Sequence, residues 1–162
     1  MSTTTGPGTG NVVVGVDGSE PSLNALRWGA FIASATGSTL VVASVWQPTP
    51  AFGLVSEGWG ASPADVDPDA LSREALDAAV GSVFGDAPPV ELDRRVLRGN
   101  TAQVLLELSD DAGMLVVGSR GHGGFASLLL GSVSAACTEH ATCPVLVIHG
   151  TTPPPPLTKA TS

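Results

Sequence analysis

The apolar residues of the chain fall into short runs that are separated by longer stretches of mixed character. Near-continuous apolar runs at 11–16 (NVVVGV), 39–45 (TLVVASV) and 114–117 (MLVV) predict strands that are buried on both faces. Residues 90–97 alternate apolar and polar positions, which favours a strand at an edge of the sheet. A fifth run, 144–149 (PVLVIH), predicts the last strand.

The stretches between these runs have the apolar spacing of helices that bury one face. The predicted helices start after Ser19, at Pro68, after Asn100 or Thr101, and near Ser132. Strands that alternate with helices indicate a parallel sheet that is covered by helices on both faces. We therefore expect an α/β fold, a single doubly wound domain with a five-stranded parallel sheet in the strand order 3-2-1-4-5.

The ends of the chain and one internal stretch differ in composition from these elements. Residues 1–10 are rich in Thr and Gly, and residues 150–162 contain four consecutive prolines, so we expect both segments to be disordered. Residues 47–67 are rich in Pro, Gly and Ser and predict a long surface loop. The folded domain is therefore expected to span 11–149.

The composition limits the partners that this domain is expected to bind. The chain of 162 residues carries 15 acidic and 7 basic residues, for a formal net charge of −8. Nucleic acid and anionic membranes need clustered Lys and Arg, so we expect neither as a partner. No apolar run reaches the roughly 20 residues of a membrane span. The N-terminus lacks the features of a signal peptide, and the expected location is the cytoplasm.

The cysteines and histidines do not have the spacing of a metal site. Cys137 and Cys143 lie six residues apart, without a third or fourth ligand nearby. In a cytoplasmic protein a disulfide between them is not expected, and buried free thiols are favoured. We therefore expect no metal-binding residue in the protein itself.

A run of glycines after the fourth predicted strand is the strongest candidate for a binding site. Glycines stand at 118, 121, 123, 124 and 131, and Ser132 then begins the last helix. A strand that ends in glycines and continues as a helix offers free backbone N–H groups to a phosphate. The loop has no lysine, so backbone amides would hold the anion, with Arg120 and His122 as candidate helpers. Close packing alone also explains glycines at such turns, and both interpretations stay open.

A carboxylate, Asp17, follows the first predicted strand. Asp17 and Gly118 meet at the same crevice if strands 1 and 4 are neighbours, because ligands of such sheets bind beyond the carboxyl ends of the strands. Asp17 has three interpretations: an acceptor for a sugar hydroxyl or a base, a turn residue that accepts from nearby amides, and a ligand that holds Mg²⁺ through water.

The sequence resembles the universal stress protein family from 11 to 149. The resemblance is carried by the opening VVVGVDGSEPSLNALRWGA, the spacing Gly118-x-x-Gly121-x9-Gly131-Ser132, and the closing strand CPVLVIH. In that family the glycine spacing marks the branch that binds ATP. The resemblance therefore implies an ATP-binding protein of the stress response, with Mg²⁺ accompanying the nucleotide.

The resemblance also implies a role for each matching position. Gly15, Asp17 and Val45 correspond to the groups that meet the ribose and the adenine. The phosphates are expected to be held by the glycine loop (Gly118, Ser119, Arg120, Gly121, His122, Gly123 and Gly124) and by the start of the last helix (Gly131, Ser132, Val133 and Ser134). We expect no catalytic residue.

The last predicted strand is apolar and is expected at a sheet edge, which is an aggregation hazard unless something covers it. Pairing of Val145–Ile148 with the same strand of a second copy covers the edge and gives a two-fold dimer. The resemblance to the family implies such a dimer, and we expect a homodimer.

Other functions stay open at this stage. A slow ATPase would need a general base, and His122 is the sole candidate beside the glycine loop. The sequence does not distinguish ATP from cyclic AMP or another adenine nucleotide. A dimeric interaction module that needs no nucleotide is a third alternative, and a flavin-binding protein is disfavoured because the chain has no tyrosine. We expect a regulatory nucleotide-binding protein rather than an enzyme.

Overall fold

The computed structural model describes residues 10–48, 67–120 and 130–156. These residues form strands and helices that alternate along the chain. In chain order the elements are β1 (Asn11–Gly15), α1 (Glu20–Thr36), β2 (Leu40–Trp46), α2 (Pro68–Phe84), β3 (Leu92–Arg98), α3 (Thr101–Ser109), β4 (Ala112–Gly118), α4 (Ser132–His140) and β5 (Val145–Ile148). No helix within the described residues has the length and apolar character needed to cross a membrane.

All neighbouring strands of the sheet are parallel, in the order β3-β2-β1-β4-β5. The α/β class and the strand order expected from the sequence are therefore confirmed. β1, β2 and β4 have a neighbour on each side, and most of their residues are buried or half-buried. These strands are apolar because neither face of a sheet covered on both sides meets water.

Successive strand side chains point to opposite faces, so each strand contributes to two separate cores. Val12 and Val14 of β1 pack in a cluster with buried residues of α1 and α2. Val13 packs in a second cluster, with Leu105 of α3 and Cys137 of α4. The helices therefore cover the sheet in pairs, with α1 and α2 on one face and α3 and α4 on the other.

The two edge strands differ in character. β3 carries charged side chains, and two of its three arginines form ion pairs with an N–O distance of 2.7 Å, Arg94 with Asp77 of α2 and Arg95 with Asp93. β5 is the opposite edge and consists of four apolar residues, VLVI. Charged side chains discourage an edge from pairing with another chain, and β5 has none. The edge position predicted for the third strand is confirmed.

The predicted element boundaries agree with the observed ones to within about two residues, and the differences follow from the strand pairing. β3 begins at Leu92 rather than at residue 90, because its ladder with β2 starts where Leu40 pairs with Leu92. β4 begins two residues earlier than predicted, at Ala112, which pairs with Asn11 of β1. Local apolar character does not mark these residues, so their pairing decides the boundary.

Both cysteines are free thiols, as predicted, although Cys143 is only half-buried. Cys137 is fully buried in the second core. Burial, with the charge of Cys143 as a second cause, raises the pKa of Cys137 from 9.0 to about 11. Because the thiolate is the reactive form, a raised pKa makes Cys137 a packing residue rather than a nucleophile at neutral pH.

Candidate functional site

A cavity of about 280 Å³ lies at the carboxyl ends of β1, β2 and β4. The strand order reverses here, because the chain runs from β1 to β2 and β3 on one side and returns to β4 and β5 on the other. Ligands of parallel sheets bind beyond the carboxyl ends of the strands at such a point. The predicted site residues that line the cavity are Gly15, Asp17, Val45, Gly118, Arg120, Gly131, Ser132, Val133 and Ser134.

The other predicted site residues are not among those lining the cavity. Ser119 is buried next to it and acts through its backbone. Gly121, His122, Gly123 and Gly124 lie outside the described residues, and their roles stay predictions. The same holds for most of the predicted loop at 47–67, which is described only at its ends.

Asp17 is held in a turn at the end of β1. Its Oδ1 accepts hydrogen bonds from the backbone N–H of Ser19, at 2.9 Å, and from the Ser19 hydroxyl. The backbone N–H of Asp17 donates to Ser22 Oγ at 3.3 Å. Ser19 occupies the N-cap position predicted for it, but its hydroxyl is used by Asp17 and does not cap α1. The turn interpretation of Asp17 is therefore observed, and the turn fixes the carboxylate at the rim of the cavity.

The carbonyl of Ser119 joins the end of β4 to the start of α4. It accepts hydrogen bonds from the N–H of Gly131 at 2.7 Å and from the hydroxyl of Ser134 at 2.9 Å. The N–H of Ser119 donates to the carbonyl of Ile148 in β5 at 2.9 Å. Ser134 is 2% exposed, so its hydroxyl hydrogen serves this internal contact. The Ser134 hydroxyl therefore holds the cavity wall together.

The start of α4 differs from that of two other helices in lacking a side-chain cap. The side chain of Asp67 accepts from the first amides of α2, and that of Asn100 does the same for α3. The N-cap residue of α4 is Gly131, which has no side chain to accept with. The N–H groups in the first turn of a helix have no intrahelical acceptor. Ser132, Val133 and Ser134 form the first turn of α4 and line the cavity, a position from which backbone N–H groups can bind an anion.

Two glycines of the predicted motif have opposite steric surroundings. An added Cβ at Gly118 would lie 2.8–2.9 Å from backbone and ring atoms of Pro21 in α1, which is too close. At Gly131 the nearest atom to an added Cβ is 3.6 Å away, an ordinary contact. The φ of Gly131 is −69°, which any residue adopts. The packing of α1 against β4 therefore explains Gly118, whereas nothing within the described residues requires glycine at 131.

The sequence does not single out several residues that also line the cavity: Val16, Ser22, Ala43, Thr101, Leu105 and Val117. Most of them are apolar and have the pattern of ordinary core residues. The position of Thr101 could have been predicted from the order of the elements. A helix that follows a parallel strand starts at the edge of the sheet where that strand ends, and α3 follows β3. Combining that rule with the strand order would have placed the start of α3 at the cavity.

The charged residues that line the cavity are Arg120 and Asp17, both exposed at its rim. Within the part of the chain that the structure describes, Arg120 forms no ion pair. A guanidinium at this exposed position can reach an anion at the rim. In the same part of the chain, no group of three His, Cys, Asp or Glu side chains is arranged to hold a metal ion.

Comparison with known protein families identifies relatives of the chain. A family model described as the universal stress protein family matches residues 8–149. The chain belongs to the universal stress protein family. Universal stress protein Rv2624c of Mycobacterium tuberculosis strain H37Rv is 35% identical over 139 residues, which cover 85% of this chain and 47% of the relative. The chain thus spans about half the length of the curated relatives it matches.

Solved structures of the family share the fold. The crystal structure of a universal stress protein in complex with cAMP is 28% identical, with a TM-score of 0.56, and the match covers 88% of this chain and 98% of that one. The universal stress protein from Archaeoglobus fulgidus in complex with dAMP is 22% identical, with a TM-score of 0.61, and the match covers 86% of this chain and 98% of that one. The second likeness establishes the fold alone.

Proposed function

We propose that the chain binds ATP in the cavity at the carboxyl ends of β1, β2 and β4, and that nucleotide occupancy regulates a cytoplasmic stress response. This proposal rests on the surroundings of Gly131. The described residues leave room for a side chain there, and its φ is one that any residue adopts. A phosphate on the amides of Ser132 and Val133 supplies a reason for glycine, because a side chain at 131 would occupy space that the approaching anion needs.

The start of α4 supplies the phosphate site in this proposal. Each contact between an anion and a helix N-terminus contributes about 0.3–1 kcal/mol, and up to ~2 when it is partly buried. Micromolar binding needs about −8 kcal/mol, so the phosphate contacts must act together with burial of the base. The Ser132 hydroxyl and the Arg120 guanidinium are further donors at the same wall.

The apolar part of the cavity is the proposed adenine site. Ala43 and Val45 of β2 line it from the sheet, and Leu105 lines it from α3. Apolar walls with a few polar groups are typical of pockets for small ligands. Asp17, at the rim, would accept a hydrogen bond from the ribose. The solved relative that is bound to cAMP supports an adenine nucleotide as the ligand class, and cyclic AMP is the alternative ligand.

We propose binding without rapid turnover. Mg²⁺ would arrive on the phosphates of the nucleotide, and Asp17 is the carboxylate lining the cavity that would hold it through water. A hydrolytic function would rest on His122, which lies outside the described residues. ATP turnover that survives extensive purification and falls in His122→Ala would establish a slow ATPase instead.

We also propose a homodimer through β5. Its four residues are apolar, whereas the opposite edge, β3, carries the paired arginines Arg94 and Arg95. Pairing with β5 of a second copy would satisfy the backbone groups that the strand presents at the sheet edge. Light scattering at micromolar concentration should give the mass of a dimer, and the mass of a monomer would overturn this part of the proposal.

Thermal unfolding with and without ~1 mM Mg-ATP tests nucleotide binding. For a dissociation constant of ~10 µM, mass action predicts about 2.7 kcal/mol of stabilisation. In a domain of this size that corresponds to a rise in Tm of roughly 5–10 °C. Cyclic AMP and GTP serve as comparisons, and a larger rise with cyclic AMP would keep the site but change the ligand. No rise with any nucleotide, in protein shown by mass spectrometry to be nucleotide-free, would overturn the proposal.

A further inference from the structure

The chain leaves β5 and turns onto α1, where two side chains hold it. The turn is at Gly150, whose φ of +68° lies in the left-handed region that favours glycine. Asn24 Nδ2 donates to the carbonyls of Gly150 at 3.3 Å and Thr152 at 3.1 Å, and Trp28 Nε1 donates to the carbonyl of Thr152 at 3.0 Å. Asn24 and Trp28 are four residues apart and lie on one face of α1. Asn24 is 3% exposed, so Thr152 is fixed to a buried group.

Four consecutive prolines, 153–156, follow this contact directly. Pro153, Pro155 and Pro156 are exposed, and Pro154 is half-buried. Proline has no N–H group and a fixed φ, so the segment cannot extend a helix or join the interior of a sheet. Its favoured conformation is the polyproline II helix, which has three residues per turn. In that helix Pro153 and Pro156 lie on the same edge.

The tetraproline lies outside the fold that the family shares. The family match ends at residue 149, and neither apolar core, among the described residues, includes one beyond Ile148. The sequence predicts disorder for 150–162, whereas the structure describes this stretch as far as 156 and gives its first residues partners on α1. An exposed segment that is anchored to the domain, and that the core does not use, has the properties of a ligand for another protein.

We propose that residues 153–156 are a docking segment for a partner protein with an aromatic-lined groove that binds polyproline II helices. Such grooves recognise Pro-x-x-Pro because the helix is preformed and loses little conformational entropy on binding. Pro153 and Pro156 supply that spacing on an exposed edge. The contacts of Thr152 with Asn24 and Trp28 order the segment before it meets the partner, which lowers the entropy cost further.

The competing interpretation is that residues 153–156 are a strap, a segment that only holds α1 against the sheet. In that role their rings would be buried against α1, and their removal would lower Tm. Three of the four rings are exposed. The anchor itself uses the carbonyls of Gly150 and Thr152, which substitutions at 153–156 leave in place.

The test uses the full chain and a panel of immobilised SH3, WW and EVH1 domains as the binding partners. We expect at least one domain to bind the chain, with and without Mg-ATP. Replacing all four prolines by serine should raise the dissociation constant at least about tenfold and leave Tm unchanged. Pro89→Ser, at another exposed proline, is the matched control and should bind as the wild type does.

Two results would overturn the proposal. The first is that no domain of the panel binds the wild-type chain. The second is that the four-serine variant binds as tightly as the wild type. If that variant also loses thermal stability, the prolines belong to the strap. Because binding is measured both with and without nucleotide, each of these results is independent of the ATP proposal.

Discussion

Replacing Gly118 and Gly131 separately by alanine tests whether the fold requires the first glycine and the proposed ligand requires the second. Both residues belong to the same motif and line the same cavity. An added Cβ at Gly118 would lie 2.8–2.9 Å from atoms of Pro21, and backbone atoms are among them, so α1 must move. At Gly131 the nearest atom would be 3.6 Å away. The two variants should therefore fail in different assays.

The expected losses follow from these distances. Overpacking at a rigid contact costs about 1–3 kcal/mol, and 1 kcal/mol shifts the Tm of a domain of this size by roughly 2–4 °C. Gly118→Ala should therefore lower Tm by roughly 2–12 °C. Gly131→Ala exchanges one N-cap residue for a poorer one, which costs about 1 kcal/mol or less. In the proposed complex a methyl group at 131 would meet the phosphate, and the same overpacking cost would make ATP binding roughly 5–150-fold weaker.

Thermal unfolding of the ligand-free proteins and calorimetric titration with Mg-ATP measure the two effects separately. The result expected is a stable Gly131→Ala variant with weak ATP binding and a Gly118→Ala variant with reduced stability. Wild-type ATP affinity in Gly131→Ala would refute the idea that a ligand explains this glycine. Wild-type stability in Gly118→Ala would show that α1 is not packed tightly against the end of β4.

Three further predictions concern the surroundings of the site, the core and the edge of the sheet. Ser134→Ala removes a buried hydrogen bond to Ser119, which should cost about 1 kcal/mol in urea unfolding and weaken ATP binding; unchanged affinity would show that this bond does not position α4. Burial raises the pKa of Cys137 from 9.0 to about 11, so the stability it contributes is complete below pH 9 and is lost as the pH rises toward 11, by about 2–3 kcal/mol. Cys137→Ala should show a smaller alkaline loss in denaturant titrations at pH 8 and pH 10.5, and an equal loss would contradict this origin. The carbonyls of Pro144 and Ile148 accept hydrogen bonds from the N–H groups of Leu115 and Ser119, so the backbone groups of Val147 face away from β4. Val147→Pro should therefore give a folded monomer by light scattering, and a persistent dimer would exclude pairing through β5.

The sheet was predictable because its central strands are buried on both faces. Runs such as VVV at 12–14 and VVA at 41–43 show this directly. The early start of β4 was not predictable, because Ala112 and Gly113 resemble loop residues. Their inclusion depends on a close approach of two backbones, in which an added Cβ at Gly113 would lie 3.0 Å from the carbonyl oxygen of Gly10. Such a long-range contact leaves no periodic signal in the sequence.

The candidate site was predictable only in part, because identical residues serve different purposes. The glycine spacing indicated Gly118 and Gly131 equally, and only the position of Pro21 shows that the first is needed for packing. Ser134 fitted a ligand-binding motif, yet its hydroxyl is used by Ser119. Leu105 lines the cavity but has the sequence pattern of a core residue. Each of these differences arises from tertiary contacts rather than from local sequence.

The uncapped start of α4 is the centre of this account, and amide NMR tests it most directly. Titration of nucleotide-free, ¹⁵N-labelled protein with Mg-ATP should shift the amide signals of Ser132 and Val133 in step with saturation. The amides of Asp69 and Ala70, which the side chain of Asp67 caps at the start of α2, are the control and should not move. Binding that leaves Ser132 and Val133 unperturbed, or the absence of any binding, would contradict the claim that these amides hold the phosphates.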